Sequence, residues 1–181
     1  MSLTATSSGL GDPCAQFNVY IANRPNFSEY PNADYVNPLS AGEIYVVGQA
    51  CGNGWRKVFN VYAKLVFALN VENIVPLRGA QSWQNYRDHT LLQNSSNTNL
   101  LFSTPQLTDV NGKNRKNLHI IMGKTYAKSL SLPLSLKWLD HEFAIDKDNK
   151  LLVCPYFDYR QLSNIKIIRL VELIKSLKLA N

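Results

Sequence analysis

At 181 residues and 45% hydrophobic content, the chain is the size of one domain and carries enough apolar side chains for one sizeable core. No run approaches the roughly 18 consecutive apolar residues of a membrane span, and no basic region leads into an apolar stretch at the start, so a cytoplasmic protein with no membrane partner is expected. The net charge of +6 is lopsided: residues 1–50 hold one base, Arg24, against Asp12, Glu29, Asp34 and Glu43, so the later residues carry the whole excess. Cys14, Cys51 and Cys154 lie far apart, as do His89, His119 and His141, which argues against a zinc knuckle, a disulfide framework or any metal site and leaves three reduced thiols expected to be buried.

The opening residues are small and polar, so residues 1–14 read as a flexible N-terminal segment and 15–181 as a single α/β domain. Phe17 to Ala22 is rich in β-branched and aromatic residues and predicts a strand, ended by Asn23-Arg24-Pro25-Asn26. A long loop over 23–39 follows, and its Phe27, Tyr30 and Tyr35 are unusual content for a connector. Ser40-x-x-Glu43 has the spacing of a capping box and predicts a helix through Ala50, although Ile44-Tyr-Val-Val47 also suits a short strand. After the break at Gly52-Asn-Gly54, Trp55, Val58, Phe59, Tyr62, Val66 and Leu69 recur at helical spacing with a narrow polar stripe, which predicts a central, mostly buried helix.

Ser82 is placed to cap a helix through Trp83, Tyr86 and Leu91, and Leu100 to Phe102 begins a short strand. Leu118 to Met122 reads as a buried strand that Gly123 turns into a helix from Lys124 to about Leu132. Phe143-Ala-Ile145 and Leu151-Leu-Val153 flank Asp146-Lys-Asp-Asn149, the pattern of a β-hairpin rather than a calcium loop, since Lys150 occupies the third ligand position. A last helix from Asn164 is expected to bury Ile165, Ile168, Val171 and Ile174 on one face. Strands alternating with helices imply a three-layer α/β/α architecture with a mostly parallel central sheet, in which 17–22 and 118–122 are parallel neighbours or near neighbours.

Three features carry candidate chemistry. Gly123-Lys124-Thr125 ends like a phosphate-binding loop, but the glycine required five residues before Gly123 is Leu118, so what remains is a single-anion site beside Lys124 or a glycine that only makes a tight turn. Lys113, Arg115, Lys116, Lys124 and Lys128 form an acid-free basic run, which suits the phosphates of DNA or RNA or serves only as a solvated face that keeps the chain soluble. Cys154-Pro-Tyr-Phe-Asp-Tyr-Arg160 follows an apolar strand directly, which places Asp158 and Arg160 where ligands collect in open α/β sheets; an Asp158–Arg160 pair that only organises the turn is the competing reading.

The order of Ala22-Asn23-Arg24-Pro25 after the first strand, Ile120-Ile-Met-Gly123-Lys124-x-x-Ala127, and Cys154-Pro155 near the C-terminus resembles the layout of the uracil-DNA glycosylase superfamily. That resemblance implies a uracil-DNA-glycosylase-like fold and a loop after the first strand that activates water. It also implies a later His-Pro-Ser loop that stabilises the departing base. Asn23 then stands at the water-activating position, Pro25 matches the family proline, and Cys154-Pro155-Tyr156 replaces His-Pro-Ser. With the histidine missing, weak or no glycosylase activity is expected. No cofactor is implied. On this reading Asn23 and Asp158 are the catalytic candidates, and Arg24, Pro25, Tyr30, Lys124, Tyr156 and Arg160 bind the base or nucleotide. The alternative is a non-catalytic small-molecule-binding or protein-interaction domain that uses the aromatic 23–39 loop.

Overall fold

The computed structural model describes residues 6–28, 30–69, 75–107 and 116–178. In chain order they form β1 (Gly9–Gly11), β2 (Phe17–Tyr20), β3 (Val36–Asn37), α1 (Glu43–Cys51), α2 (Asn53–Leu69), α3 (Trp83–His89) and β4 (Thr98–Leu101). Then come β5 (Leu118–Met122), α4 (Lys124–Ser129), β6 (Lys137–Trp138), β7 (Ala144–Asp146), β8 (Leu151–Cys154) and α5 (Asn164–Lys178). The strands make one sheet in the order β3-β1-β4-β2-β5-β8-β7-β6.

The centre of the sheet, β4-β2-β5-β8, is parallel throughout, with Phe17 opposite both Thr98 and Leu118 and Met122 opposite Cys154. The strands expected at 17–22 and 118–122 are therefore direct parallel neighbours. The hairpin expected around Asp146 pairs β7 with β8 antiparallel, and β6 extends it to the sheet edge. Asp146 builds the turn: its carboxylate accepts from the backbone N–H groups of Asp148 and Asn149, from Asn149 Nδ2 and from Ser135 Oγ.

Side chains alternate between the two faces of a strand, so each central strand feeds two cores. One face presents Phe17, Val19, Leu100, Ile120, Leu152 and Cys154 to a layer of α1, α2, α3 and α5. The other presents Tyr20, Leu101, Ile121, Leu151 and Val153 to α4 and the segment after it, through Ala127, Tyr126, Leu130, Leu132 and Leu136. Burial on both faces explains why these strands read as almost continuous apolar runs. The helix α2 is central, as its spacing predicts: Trp55, Val58, Phe59, Tyr62, Val66 and Leu69 are all buried. Its Tyr62 stacks on Phe17 at 6.0 Å, meets the edge of Phe157 at 5.7 Å and donates a hydrogen bond to the Asn99 carbonyl at 2.7 Å.

Several expectations are corrected. Gly9–Gly11 lie inside the segment expected to be flexible, yet they form β1, which pairs with β4 and β3. The reason is steric: a Cβ on Gly9 would sit 2.3 Å from the Leu100 carbonyl oxygen, and one on Gly11 2.5 Å from that of Thr98, so glycine lets this strand approach β4. The helix α1 begins at Glu43, with Gly42 at its N-cap in a left-handed conformation (φ 81°). Only half of the capping box forms, as Glu43 Oε2 accepts from the Ser40 N–H at 2.8 Å. The helix after Gly123 ends at Ser129, three residues early, and Leu91 lies beyond α3, although Ser82 does cap α3 by accepting from the Asn85 N–H.

The last helix buries only half of the expected face, Val171 and Ile174. Ile165 and Ile168 are 80% and 59% exposed, and the buried stripe is Ile167, Leu170, Val171, Ile174 and Leu177. Two apolar stripes share the same helical period here, and only packing against β8 and α2 decides between them. Of the cysteines, only Cys154 is fully buried, Cys14 being exposed and Cys51 half-buried. Among the described residues no helix is long and apolar enough to cross a membrane.

Candidate functional site

The strand order itself makes a switch point, the place where open α/β sheets form a crevice. From β2 the chain passes through α1, α2 and α3 on one face to reach β4, whereas from β5 it passes into α4 on the opposite face. The loops leaving the carboxyl ends of adjacent β2 and β5 therefore part, and open α/β sheets bind ligands at such a point. Asn23 and Arg24 follow β2, Gly123 and Lys124 follow β5, and Tyr156 and Asp158 follow β8.

Asn23 and Tyr156, 133 residues apart in sequence, meet directly. Asn23 Nδ2 donates to the Tyr156 hydroxyl at 3.2 Å. Gly123 holds the neighbouring turn: its N–H donates to the Cys154 carbonyl at 2.8 Å and its φ of 100° suits glycine, and a Cβ there would just touch the Tyr156 ring at 4.0 Å. Burial raises the pKa of the Tyr156 phenol, the Asn23 hydrogen bond lowers it and the nearby Asp158 charge raises it again; the net shift is upward and the group stays protonated. Since the phenol oxygen accepts from Asn23, its own hydrogen is left for a ligand acceptor, and Asn23 Oδ1 for a ligand donor.

The other predicted site residues divide sharply. Asp158 is paired with Lys57, not with the Arg160 side chain: Lys57 Nζ reaches Asp158 Oδ2 at 2.9 Å, and the Arg160 N–H donates to Oδ1 at 3.0 Å. The Arg160 hydrogen bond and the Lys57 charge hold this carboxyl below its ordinary pKa against the effect of burial. Arg160 itself is exposed, its guanidinium 5.7 Å from the Tyr159 ring. Lys124 lies 5.6 Å from the Trp138 ring, and its helix, at six residues, has little dipole to add.

Arg24 is taken up by structure: its guanidinium donates to the carbonyls of Pro31 and Ala33 and to Ser8 Oγ, and it sits over the Phe102 ring. Pro25, next to it in the same loop, is buried. Tyr30 is 3% exposed and donates to Glu43 Oε1, with Phe27 packed 5.8 Å from its ring. The aromatic residues of the 23–39 loop thus face mainly inward, and only Tyr35 is strongly exposed. Lys116 and Lys128 are exposed, while Lys113 and Arg115 lie outside the described residues.

The chain belongs to DUF6942, a family of unknown function, whose model matches residues 8–175. The DUF6942 match begins one residue before β1 and ends within α5, so it spans the sheet, both helical layers and the crevice. No curated protein and no solved structure matches the chain.

Two features of this DUF6942 domain escape the linear reading. Lys57 as the partner of Asp158 has no local signal, because it arrives from α2 across 101 residues. A row of polar side chains on the second sheet face, Asn18, Asn99 and His119, did leave one: each interrupts an apolar strand at the same parity, which marks one face.

Proposed function

We propose that this protein is a glycosylase-like α/β protein that takes a nucleobase, nucleotide or single-stranded nucleic acid into the crevice between the β2, β5 and β8 loops, with weak or no base excision. The observation that carries this reading is the hydrogen bond from Asn23 to Tyr156. It joins the two loops that the resemblance to uracil-DNA glycosylases assigns to water activation and base stabilisation, at the point where the strand order favours a ligand. The pair offers one donor and one acceptor side by side, which suits the N–H and C=O groups along the edge of a base held out of a stack.

The same residues argue for slow chemistry. An amide at Asn23 orients water but does not take its proton, and Asp158 is engaged by Lys57. Cys154, at the position of the family histidine, is fully buried and burial pushes its thiol pKa up, so it offers nothing to a departing anion. A missing donor of this kind costs about 10²–10³ in rate.

The test pairs binding with single-turnover release, using a uracil-containing single-stranded oligonucleotide and its thymine counterpart. Binding that weakens ~10-fold in Asn23→Ala and in Tyr156→Phe, with little or no uracil released, is the expected result. Binding untouched by either substitution, or no binding at all, would remove the ligand from the crevice. Fast release abolished by both would make the protein an efficient enzyme.

A further inference from the structure

The second face of the central sheet carries a polar cavity that the crevice does not use. Asn18 is in register with both Asn99 and His119, so three polar side chains lie abreast on β4, β2 and β5 where apolar residues are normal. All three are nearly inaccessible, at 5%, 3% and 3%. With Tyr20 they border a space of about 160 Å³, whose rim is formed by residues such as Thr104 and Gln106. Among the described residues no charged side chain lines it.

The hydrogen bonds fix which atoms the cavity presents. Asn18 Nδ2 donates to the Leu118 carbonyl at 3.2 Å, and a carbonyl can only accept. Asn18 therefore turns Oδ1 to Asn99, which must answer with Nδ2, at 2.8 Å. That leaves Asn99 Oδ1 as a buried acceptor with no partner among the described residues. Buried polar atoms are rarely left so, and Asn99 is one of the residues that line the cavity. On the other side of Asn18, His119 Nδ1 is hydrogen-bonded to the Tyr20 hydroxyl at 2.7 Å, which leaves Nε2 as the ring's remaining polar atom. Burial lowers the pKa of this imidazole to about 4, so it is neutral near pH 7 and adds no charge.

We propose that this cavity is a binding site for a small, uncharged, planar lactam or primary amide, whose N–H donates to Asn99 Oδ1 while a second polar atom meets His119 Nε2. The size fits: an apolar cavity of about 150 Å³ holds one benzene ring, so about 160 Å³ accepts a single substituted ring. The described lining is polar but uncharged, which favours a neutral ligand over carboxylates and ammonium groups, whose desolvation those residues would not offset.

The probes are 2-pyridone and nicotinamide, with benzoate as the charged counterpart, titrated into the whole chain while the side-chain nitrogen resonances of His119 are followed by NMR. Saturable shifts with either neutral probe and none with benzoate are expected. Affinity should fall at least ~10-fold in Asn99→Leu or His119→Phe and stay unchanged in Tyr156→Phe. The wild-type His119 resonances keep the idea testable if a variant fails to fold. Unmoved resonances would mean that the cavity holds water alone. Binding lost in Tyr156→Phe but kept in Asn99→Leu would place the probe in the crevice, and either result overturns the proposal.

Discussion

On one face of the central sheet, Phe17, Val19, Leu100, Ile120 and Leu152 pack under helices; on the other, the residues between them in the same strands include Asn18, Asn99 and His119. The backbone is common to both faces, so the contrast isolates what side-chain polarity costs and gives. The apolar face gains from every carbon it removes from water. The polar face must find a partner for each buried group, and Asn99 Oδ1 has none among the described residues. The two faces thus differ in what satisfies them: carbon contacts on one, hydrogen-bond partners at the Asn18–Asn99–His119 row on the other.

The sharpest way to break the comparison is to damage the apolar side. Phe17→Ala removes a ring that is fully buried and stacked on Tyr62, and truncation of such a residue costs about 3–5 kcal/mol. Urea denaturation should show a loss of that order with the cooperative transition retained. A change below about 1 kcal/mol would mean that this face is not the tighter of the two.

Acid should attack the polar side. His119 has a folded pKa of about 4 against an ordinary 6.5, because burial disfavours its charged form. Between those values the unfolded chain takes a proton that the folded chain refuses. Stability is therefore complete above about pH 6.5 and falls as pH drops towards about 4, by on the order of 3 kcal/mol over the whole interval. Stability measured from pH 7.5 to 4.5 should slope downward in the wild type, and His119→Gln should flatten that slope. Parallel slopes in the two proteins would show that another group governs the acid limb.

These effects rest on features that differ in how plainly the sequence announces them. The central strands and α2 are legible because apolar period alone places Phe17 to Tyr20, Leu118 to Met122 and Trp55 to Leu69. The face of α5 is not, since Ile165 and Ile168 repeat with the same period as Ile167 and Leu170 and only the docked neighbours choose between them. β1 is hidden because Gly9 and Gly11 carry no strand propensity; their role is the close approach to β4. At the crevice, Asn23 and Tyr156 could be picked out by their places after strands. The commitment of Tyr30 to Glu43 and of Arg24 to the carbonyls of its own loop depends on a fold of the loop that no short pattern encodes.

The last comparison sets one tyrosine hydroxyl against another. Tyr20→Phe deletes the partner of a buried imidazole nitrogen, and an unsatisfied buried group costs about 1–3 kcal/mol. Tyr156→Phe deletes a hydroxyl whose partner, Asn23, is exposed and can turn to water, so the expected cost is only ~0.5 kcal/mol. In a chain of this size that is a shift of about 1–2 °C in Tm, against several degrees for Tyr20→Phe. Differential scanning calorimetry of the two variants at pH 7.5 would measure both. A small loss at Tyr156 means that the crevice hydroxyl is held for something other than stability, as a ligand contact would require. If Tyr156→Phe proved as costly as Tyr20→Phe, the Asn23–Tyr156 bond would be a structural clasp between two loops, and the crevice would lose the donor on which its proposed ligand depends.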